Sequence, residues 1–350
     1  MNPLNPMNKV SYAVIGGCGF LGQHLVHTLL EKHRPDETDI HIKVIDKTSH
    51  TNALMYPKDF AAPCVQLCLN VDITKATDCA DLLQDVDTVF ILAAAIAYGR
   101  KNKALLQAVN VTGIQNILTS AKQAKVKKLI YVSSIATLGC INHPDTEKLA
   151  NESCENDWQK ETYCHYGLSK YHAEQMVLAQ GTDTLQVAVA APGLLMGPGY
   201  CCFANQLPFH TALKRNWALI PEGGSNYIDV RDVATGLIAL AHGKSEGKYL
   251  LVANNITHKN LLQKIAKHTK RHLKLWEIPQ TLGGSFALLF SLLEFILPAT
   301  FPLSKEGMTK AFKYRYYSNQ RLQTLGWAPN YSLEKTIQDT LYWMRENNHV

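Results

Sequence analysis

The stretch Ala13–Gly22, AVIGGCGFLG, decides the fold. The apolar run Val10–Ile15 has the length and side chains of a buried strand, and Leu21–Lys32 follows with helical spacing. Between them Gly17-x-Gly19-x-x-Gly22, with Gly16 alongside, forms a turn that only glycine allows: tight, open to close backbone approach, and packed hard against the helix that Phe20 and Leu21 begin. Such a turn aims free N–H groups and the positive end of the helix dipole at a phosphate, so strand, turn and helix together read as a dinucleotide-binding unit.

The pattern continues outward. Ile40–Ile45, Val65–Leu69, Thr88–Leu92, Lys128–Val132 and Leu185–Ala190 read as further buried strands, and Lys248–Val252 as a seventh. Leu105–Ala124 and Ser169–Ala179 read as helices between them. Continuous rather than alternating apolar strands indicate a parallel sheet covered on both faces. The expected fold is α/β, a Rossmann-type doubly wound parallel sheet with a smaller, mostly helical C-terminal substrate lobe. Residues 9–200 and 226–255 would form the first part, and 201–225 and 256–350, ending in a helix from Leu333 to Arg345, the second.

The second strand ends at Asp46, 24 residues after Gly22. A carboxylate there accepts hydrogen bonds from adenosine ribose hydroxyls and repels a 2′-phosphate, which favours NAD; Lys47 beside it keeps NADP as the alternative. Asp72 and Ile73 would meet the adenine edge or, equally, cap a helix from Thr74 onward.

Tyr166-Gly-Leu-Ser-Lys170 places a phenol and an ammonium on one helix face. A lysine so placed lowers the tyrosine pKa and makes it a proton donor or acceptor for carbonyl–alcohol conversion. Cys164 has no activating partner in sequence and reads as packing.

Composition bounds the rest. Hydrophobic residues make up 46% and charged residues 18% of 350, as in globular proteins. The net charge of +6 is scattered apart from Lys122, Lys125, Lys127 and Lys128, read as a solvated helix end, so no nucleic-acid partner is expected. Nine cysteines show neither zinc-type nor secreted spacing; adjacent Cys201 and Cys202 do not suit an ordinary bridge. No metal is expected, and a reducing cytoplasm is the expected setting. Phe286–Pro298 is shorter than the roughly 20 residues a bilayer span needs. It reads as a buried helix of the substrate lobe, with peripheral membrane contact as the alternative.

In order along the chain, these stretches resemble the extended short-chain dehydrogenase/reductase family. The resemblance adds LAAA at 92–95, VNVTGIQN at 109–116, YVSS at 131–134, HAE after the lysine, PGLLMGPG at 192–199 and NYIDVRDVATG at 226–236. It is greatest toward dihydroflavonol reductases and 3β-hydroxysteroid dehydrogenases. It implies Ser134 as the catalytic serine, Tyr166 as acid/base and Lys170 as the group that binds the nicotinamide ribose. It also implies that Ala93 and Ala94 let the cofactor lie against the sheet, and that Pro192–Leu195 line the nicotinamide pocket. Asn110 matches a family asparagine that is either near the cofactor or a structural hydrogen-bonder. A homodimer is a family expectation.

Two enzyme classes share this machinery: a dehydrogenase or reductase, and a nucleotide-sugar epimerase or dehydratase that retains its NAD. A non-catalytic NAD sensor would not need the intact Ser134, Tyr166 and Lys170. Sugar-nucleotide enzymes commonly carry an arginine and a tyrosine where this chain has Ala191 and Met196, and an arginine where it has Ser225. Leu194, Leu195 and Met196 suit a hydrophobic small molecule better, although Lys214 and Arg215 remain candidate diphosphate ligands.

Overall fold

The computed structural model describes residues 8–33, 38–49, 54–145, 147–200, 203–269, 271–293 and 304–347. Its main sheet comprises β1 (Asn8–Ile15), β2 (Thr38–Ile45), β3 (Val65–Cys68), β4 (Thr88–Ile91), β5 (Lys128–Val132) and β6 (Gln186–Pro192), with a seventh strand, Gly247–Leu251, from later in the chain. β7 (Leu194–Met196), β8 (Trp217–Pro221) and β9 (Gly224–Asp229) precede that seventh strand, which is β10; β11 (Asn254–Thr257) and β12 (Lys274–Ile278) follow it. The main sheet runs β10-β6-β5-β4-β1-β2-β3, all parallel. It is the expected doubly wound α/β sheet.

Alternate residues of β1 show why both faces are covered. Tyr12 and Val14 join Leu25 and Leu29 of the helix Phe20–Lys32 and Val233 and Leu237 of the helix Val230–His242. Ala13 and Ile15 face the opposite layer, with Ile114 and Ile117 of Ile114–Gln123 and Ala173 and Val177 of His165–Leu178. Strand order reverses between β1 and β4, and the C-terminal ends of β1, β4, β5 and β6 open into one crevice, where such sheets place their ligands.

Three local expectations need correction. β3 is the sheet edge and half exposed, not buried, because it has a strand neighbour on one side only. Lys128 is not on a solvated helix end: it opens β5, buried, and its ammonium donates to the Gly243 carbonyl. The helix bearing Lys170 begins at His165 rather than Ser169, so it includes Tyr166.

The C-terminal part packs over the open end of the sheet. β9 lies between parallel β7 and antiparallel β11, and β8 pairs in parallel with β12. Asp232, buried in Val230–His242, accepts backbone N–H bonds from Asn330 (2.7 Å) and Tyr331 (3.1 Å) and so anchors the segment entering the final helix, Leu333–Glu346. Among the described residues no helix is long and apolar enough to cross a membrane, and no cluster of His, Cys, Asp or Glu could hold a metal ion.

Candidate active site

The glycine turn is built around contacts that exclude a side chain. Gly16 has φ +84°, and a Cβ there would lie 2.8 Å from the Ala93 nitrogen. A Cβ on Gly22 would stand 2.3 Å from the Gly16 carbonyl oxygen. The helix beginning at Phe20 has no side-chain cap and no acidic residue in its first turn, so its N–H groups and dipole are left for an anion. This cradle fits a dinucleotide pyrophosphate. The run after β6 is held over it, with Pro198 O 2.8 Å from His24 Nε2.

Asp46 follows β2 and is fixed at the same turn. Its carboxylate accepts N–H bonds from Cys18 (2.9 Å) and Thr48 (3.0 Å). Lys47 reaches Asp72 instead, at 2.8 Å. Lys47 and the Thr74 hydroxyl and N–H hold the Asp72 carboxyl down to about 2.

A cavity of about 770 Å³ runs from the glycine turn into the C-terminal part. At its cofactor end it is lined by Gly16, Gly19, Phe20, Leu21, Gly22 and Ala94; Pro192 and Leu195 lie opposite. Ser134, Tyr166 and Lys170 line it as well. Gly17, Asp46, Asp72, Ile73, Ala93 and Asn110 do not line it. Gly17 packs under the turn, where a Cβ would press on Val44, and Ala93 N donates to Ile15 O at 2.9 Å. Ile73 is buried core beneath Gly113. Asn110 is fully buried, and its amide joins Ala95 N (2.7 Å), Ala95 O (3.0 Å) and Ser169 Oγ (3.0 Å), a structural tie between β4's exit and the helix that bears Tyr166 and Lys170. Met196 is likewise not at the cavity but in the core between the final helix and β9.

The two serines after β5 have different duties. Ser133 is buried and donates to Glu174 Oε2 at 2.8 Å. Ser134 Oγ accepts the Ala136 N–H at 3.1 Å, which leaves its own O–H available as a donor in the cavity. Tyr166 is 8% exposed and packs beside Tyr98, ring centroids 5.8 Å apart. Lys170 is buried, donates to Val132 O at 2.7 Å and lies 4.3 Å from the Tyr131 ring. Burial pulls its ammonium down to about 7, partly opposed by Glu174. Burial pushes the Cys164 thiol up to about 12, as suits packing rather than nucleophilic chemistry.

The cavity's far end is mainly apolar: Leu219, Ile220, Leu261, Phe286, Phe290 and Phe312. The Phe286 segment is not the buried helix expected. Within Gly283–Leu293, Phe286 and Phe290 face the chamber while Leu288, Leu289 and Leu292 are exposed; 294–298 lie outside the described residues.

The order and placement of these residues match a known group. Residues 13–212, more than half the chain, match the model of the 3-beta hydroxysteroid dehydrogenase/isomerase family. The chain belongs to that family. It is an extended short-chain dehydrogenase/reductase, an enzyme class that uses NAD(P). A putative dihydroflavonol 4-reductase of Synechocystis is 26% identical, with 97% of this chain and 96% of the relative aligned. The sterol-4-alpha-carboxylate 3-dehydrogenase, decarboxylating, of Mus musculus is 27% identical over 94% of this chain and 89% of the relative. DesIV, a dTDP-glucose 4,6-dehydratase of Streptomyces venezuelae solved with NAD, shares the fold, with a TM-score of 0.75 at 20% identity over 97% of this chain and 98% of that one.

Sequence reasoning missed Tyr98, Glu174 and Arg315. Glu174 stands in the HAE run, but its partners are distant in sequence; Tyr98 lies just past the LAAA run, and Arg315 carries no motif at all.

Proposed function

We propose that this member of the family is a dehydrogenase or reductase that exchanges hydride between NAD(P), with NAD preferred, and a secondary alcohol or ketone on a hydrophobic, steroid-like or polycyclic small molecule. The carrying observation is one cavity lined at once by Ser134, Tyr166 and Lys170, by glycines of the phosphate cradle and by an apolar set of side chains. Gly16, Gly19 and Gly22 would admit the pyrophosphate, Asp46 the adenosine ribose, and Lys170 the nicotinamide ribose. The bound dinucleotide supplies or accepts the hydride.

The chain's own residues manage the proton. The free O–H of Ser134 donates to the substrate oxygen and fixes it. Tyr166 O–H passes a proton to that oxygen in reduction, and its phenolate takes one in oxidation. The Lys170 ammonium favours the phenolate by charge, and burial of Tyr166 and Lys170 strengthens that effect. The apolar wall at Leu194, Leu195, Phe286 and Phe290 excludes water from the reacting carbon.

A nucleotide-sugar epimerase or dehydratase is the second reading, favoured by Arg215 on the cavity wall; Lys214 does not line it. Purified protein incubated with NAD and separate panels of sterols and UDP-sugars, and with NADH and flavonoid-like ketones, distinguishes them. Net reduction of NAD with a sterol or polycyclic alcohol supports the proposal. Sugar conversion without net cofactor change overturns it.

The outer face of Gly283–Leu293 is where a lipid surface would meet the chamber wall. Co-sedimentation with anionic vesicles, lost on Leu289→Asp, is the expected result of such contact; equal sedimentation with and without vesicles contradicts it.

A further inference from the structure

The mainly apolar chamber has a buried charged corner that the hydride chemistry does not use. Arg315 is 9% exposed and lines the chamber. Its Nη2 donates to the Ile135 carbonyl at 2.7 Å, and Ile135 directly follows Ser134. No carboxylate lies within ion-pair distance of it among the described residues. The acid whose charge reaches it, Glu161, is engaged elsewhere, with Lys313 at 3.1 Å. A buried guanidinium without a carboxylate is costly, and a protein keeps one where a ligand supplies the anion.

The surroundings are built for such a ligand. Gly224 and Tyr314 pair in a parallel bridge, so Ser225 and Arg315 follow in register on neighbouring segments. Ser225 Oγ is buried with no hydrogen-bond partner among the described residues, and it also lines the chamber. His258 completes the corner. It is bound through Nε2 to Ala311 O at 3.1 Å, and burial, with Arg315 adding to it, lowers its pKa to about 4, so it stays neutral. A buried, permanently charged guanidinium and an unspent hydroxyl thus stand in register on a mainly apolar wall, next to the residue that follows Ser134; of the other cations on that wall, Lys310 is paired with Glu306 and Arg215 is exposed.

Building on the reading proposed above, we infer that Arg315 and Ser225 bind an anionic oxyacid group, a carboxylate or a phosphate monoester, carried by the apolar substrate close to the carbon that exchanges hydride. Arg315 is then a specificity-determining residue. Its fork can hold two oxygens at once, which a neutral alcohol or ketone cannot offer.

Calorimetric titration of the NAD-loaded full chain with octanoate, octyl phosphate and octanol tests this without turnover. At least one anion is expected to bind about tenfold or more tightly than octanol, and the tighter of the two names the group. Arg315→Met is expected to remove the preference while leaving octanol and NAD affinity unchanged; Arg315→Lys, which keeps charge and lacks the fork, retains part of it. If Arg315→Met does not fold, the wild-type ratio and Arg315→Lys decide. Tyr166→Phe is expected to keep the anion preference, so loss of the hydride reading and loss of the anion site give separate results. Equal affinity for anions and octanol in the wild type, or a preference that survives Arg315→Met, overturns the assignment. So does UDP binding that depends on Arg315 without any octanoate or octyl phosphate preference.

Discussion

Glu174 and Ser133 are joined by a buried hydrogen bond of 2.8 Å between Oε2 and Oγ. The same oxygen accepts the Thr137 hydroxyl at 3.1 Å, and the other carboxylate oxygen meets Lys248 of β10. One side chain, a turn beyond Lys170, therefore clamps the loop that bears Ser134 to the helix that bears Tyr166. Glu174→Ala leaves Lys248 without its carboxylate, and a loss of about 3–5 kcal/mol in denaturant unfolding is expected. A loss under 1 kcal/mol (about one surface ion pair) would show that the clamp does little.

The two serines should separate cleanly. Ser134→Ala is expected to lower turnover by about a hundredfold, the scale of one oxyanion-type donor. Ser133→Ala removes one buried hydrogen bond, costs about 1–2 kcal/mol of stability and leaves most turnover. Steady-state kinetics with the substrate found in the panel checks this; the reverse ranking would move the catalytic role to Ser133.

Much of this was legible in sequence, for a physical reason. Strands of a doubly wound sheet are apolar on both sides, and a phosphate turn leaves its glycines in a fixed order, so local residues carry the information. The edge position of β3, the burial of Lys128 and the exposed face of Gly283–Leu293 depend on which neighbours the chain folds against. Glu174 and Arg315 were silent for the same reason. The partners that define them, Ser133 and Lys248 for one and Ile135 for the other, lie far away in sequence.

Lys170 gives a pH test. Burial lowers its pKa from 10.5 to about 7, so the folded, cofactor-free chain holds this proton more weakly than the unfolded chain. The cost of charging it is complete below about pH 7 and shrinks as pH rises toward 10.5. Lys170→Met should therefore raise the melting temperature of the cofactor-free protein about one unit below that lower value, with a smaller gain in alkali, while abolishing turnover. A melting temperature unchanged or lowered at the acid end contradicts the buried-ammonium account.

The glycine cradle predicts a severe effect from one methyl group. Gly22→Ala would press its Cβ to 2.3 Å from the Gly16 carbonyl, and backbone cannot yield as a side chain does. A loss of about 1–3 kcal/mol in stability with at least tenfold weaker NAD binding is expected by thermal unfolding and calorimetry. Wild-type NAD affinity in that variant would remove the pyrophosphate from this turn.

The carboxylate of Asp46, fixed by Cys18 and Thr48, should favour NAD over NADP by about tenfold or more in dissociation constant. Asp46→Ser should narrow the ratio. Tighter NADP than NAD binding by the wild type would contradict the assignment.

The most direct test of the central claim is Tyr166→Phe, measured for NAD affinity and for hydride exchange with the substrate found in the panel. Phenylalanine keeps the packing against Tyr98 and removes only the hydroxyl. NAD affinity within about threefold of wild type, with turnover lower by about a hundredfold or more, is the predicted result. Turnover close to wild type would contradict proton transfer through Tyr166.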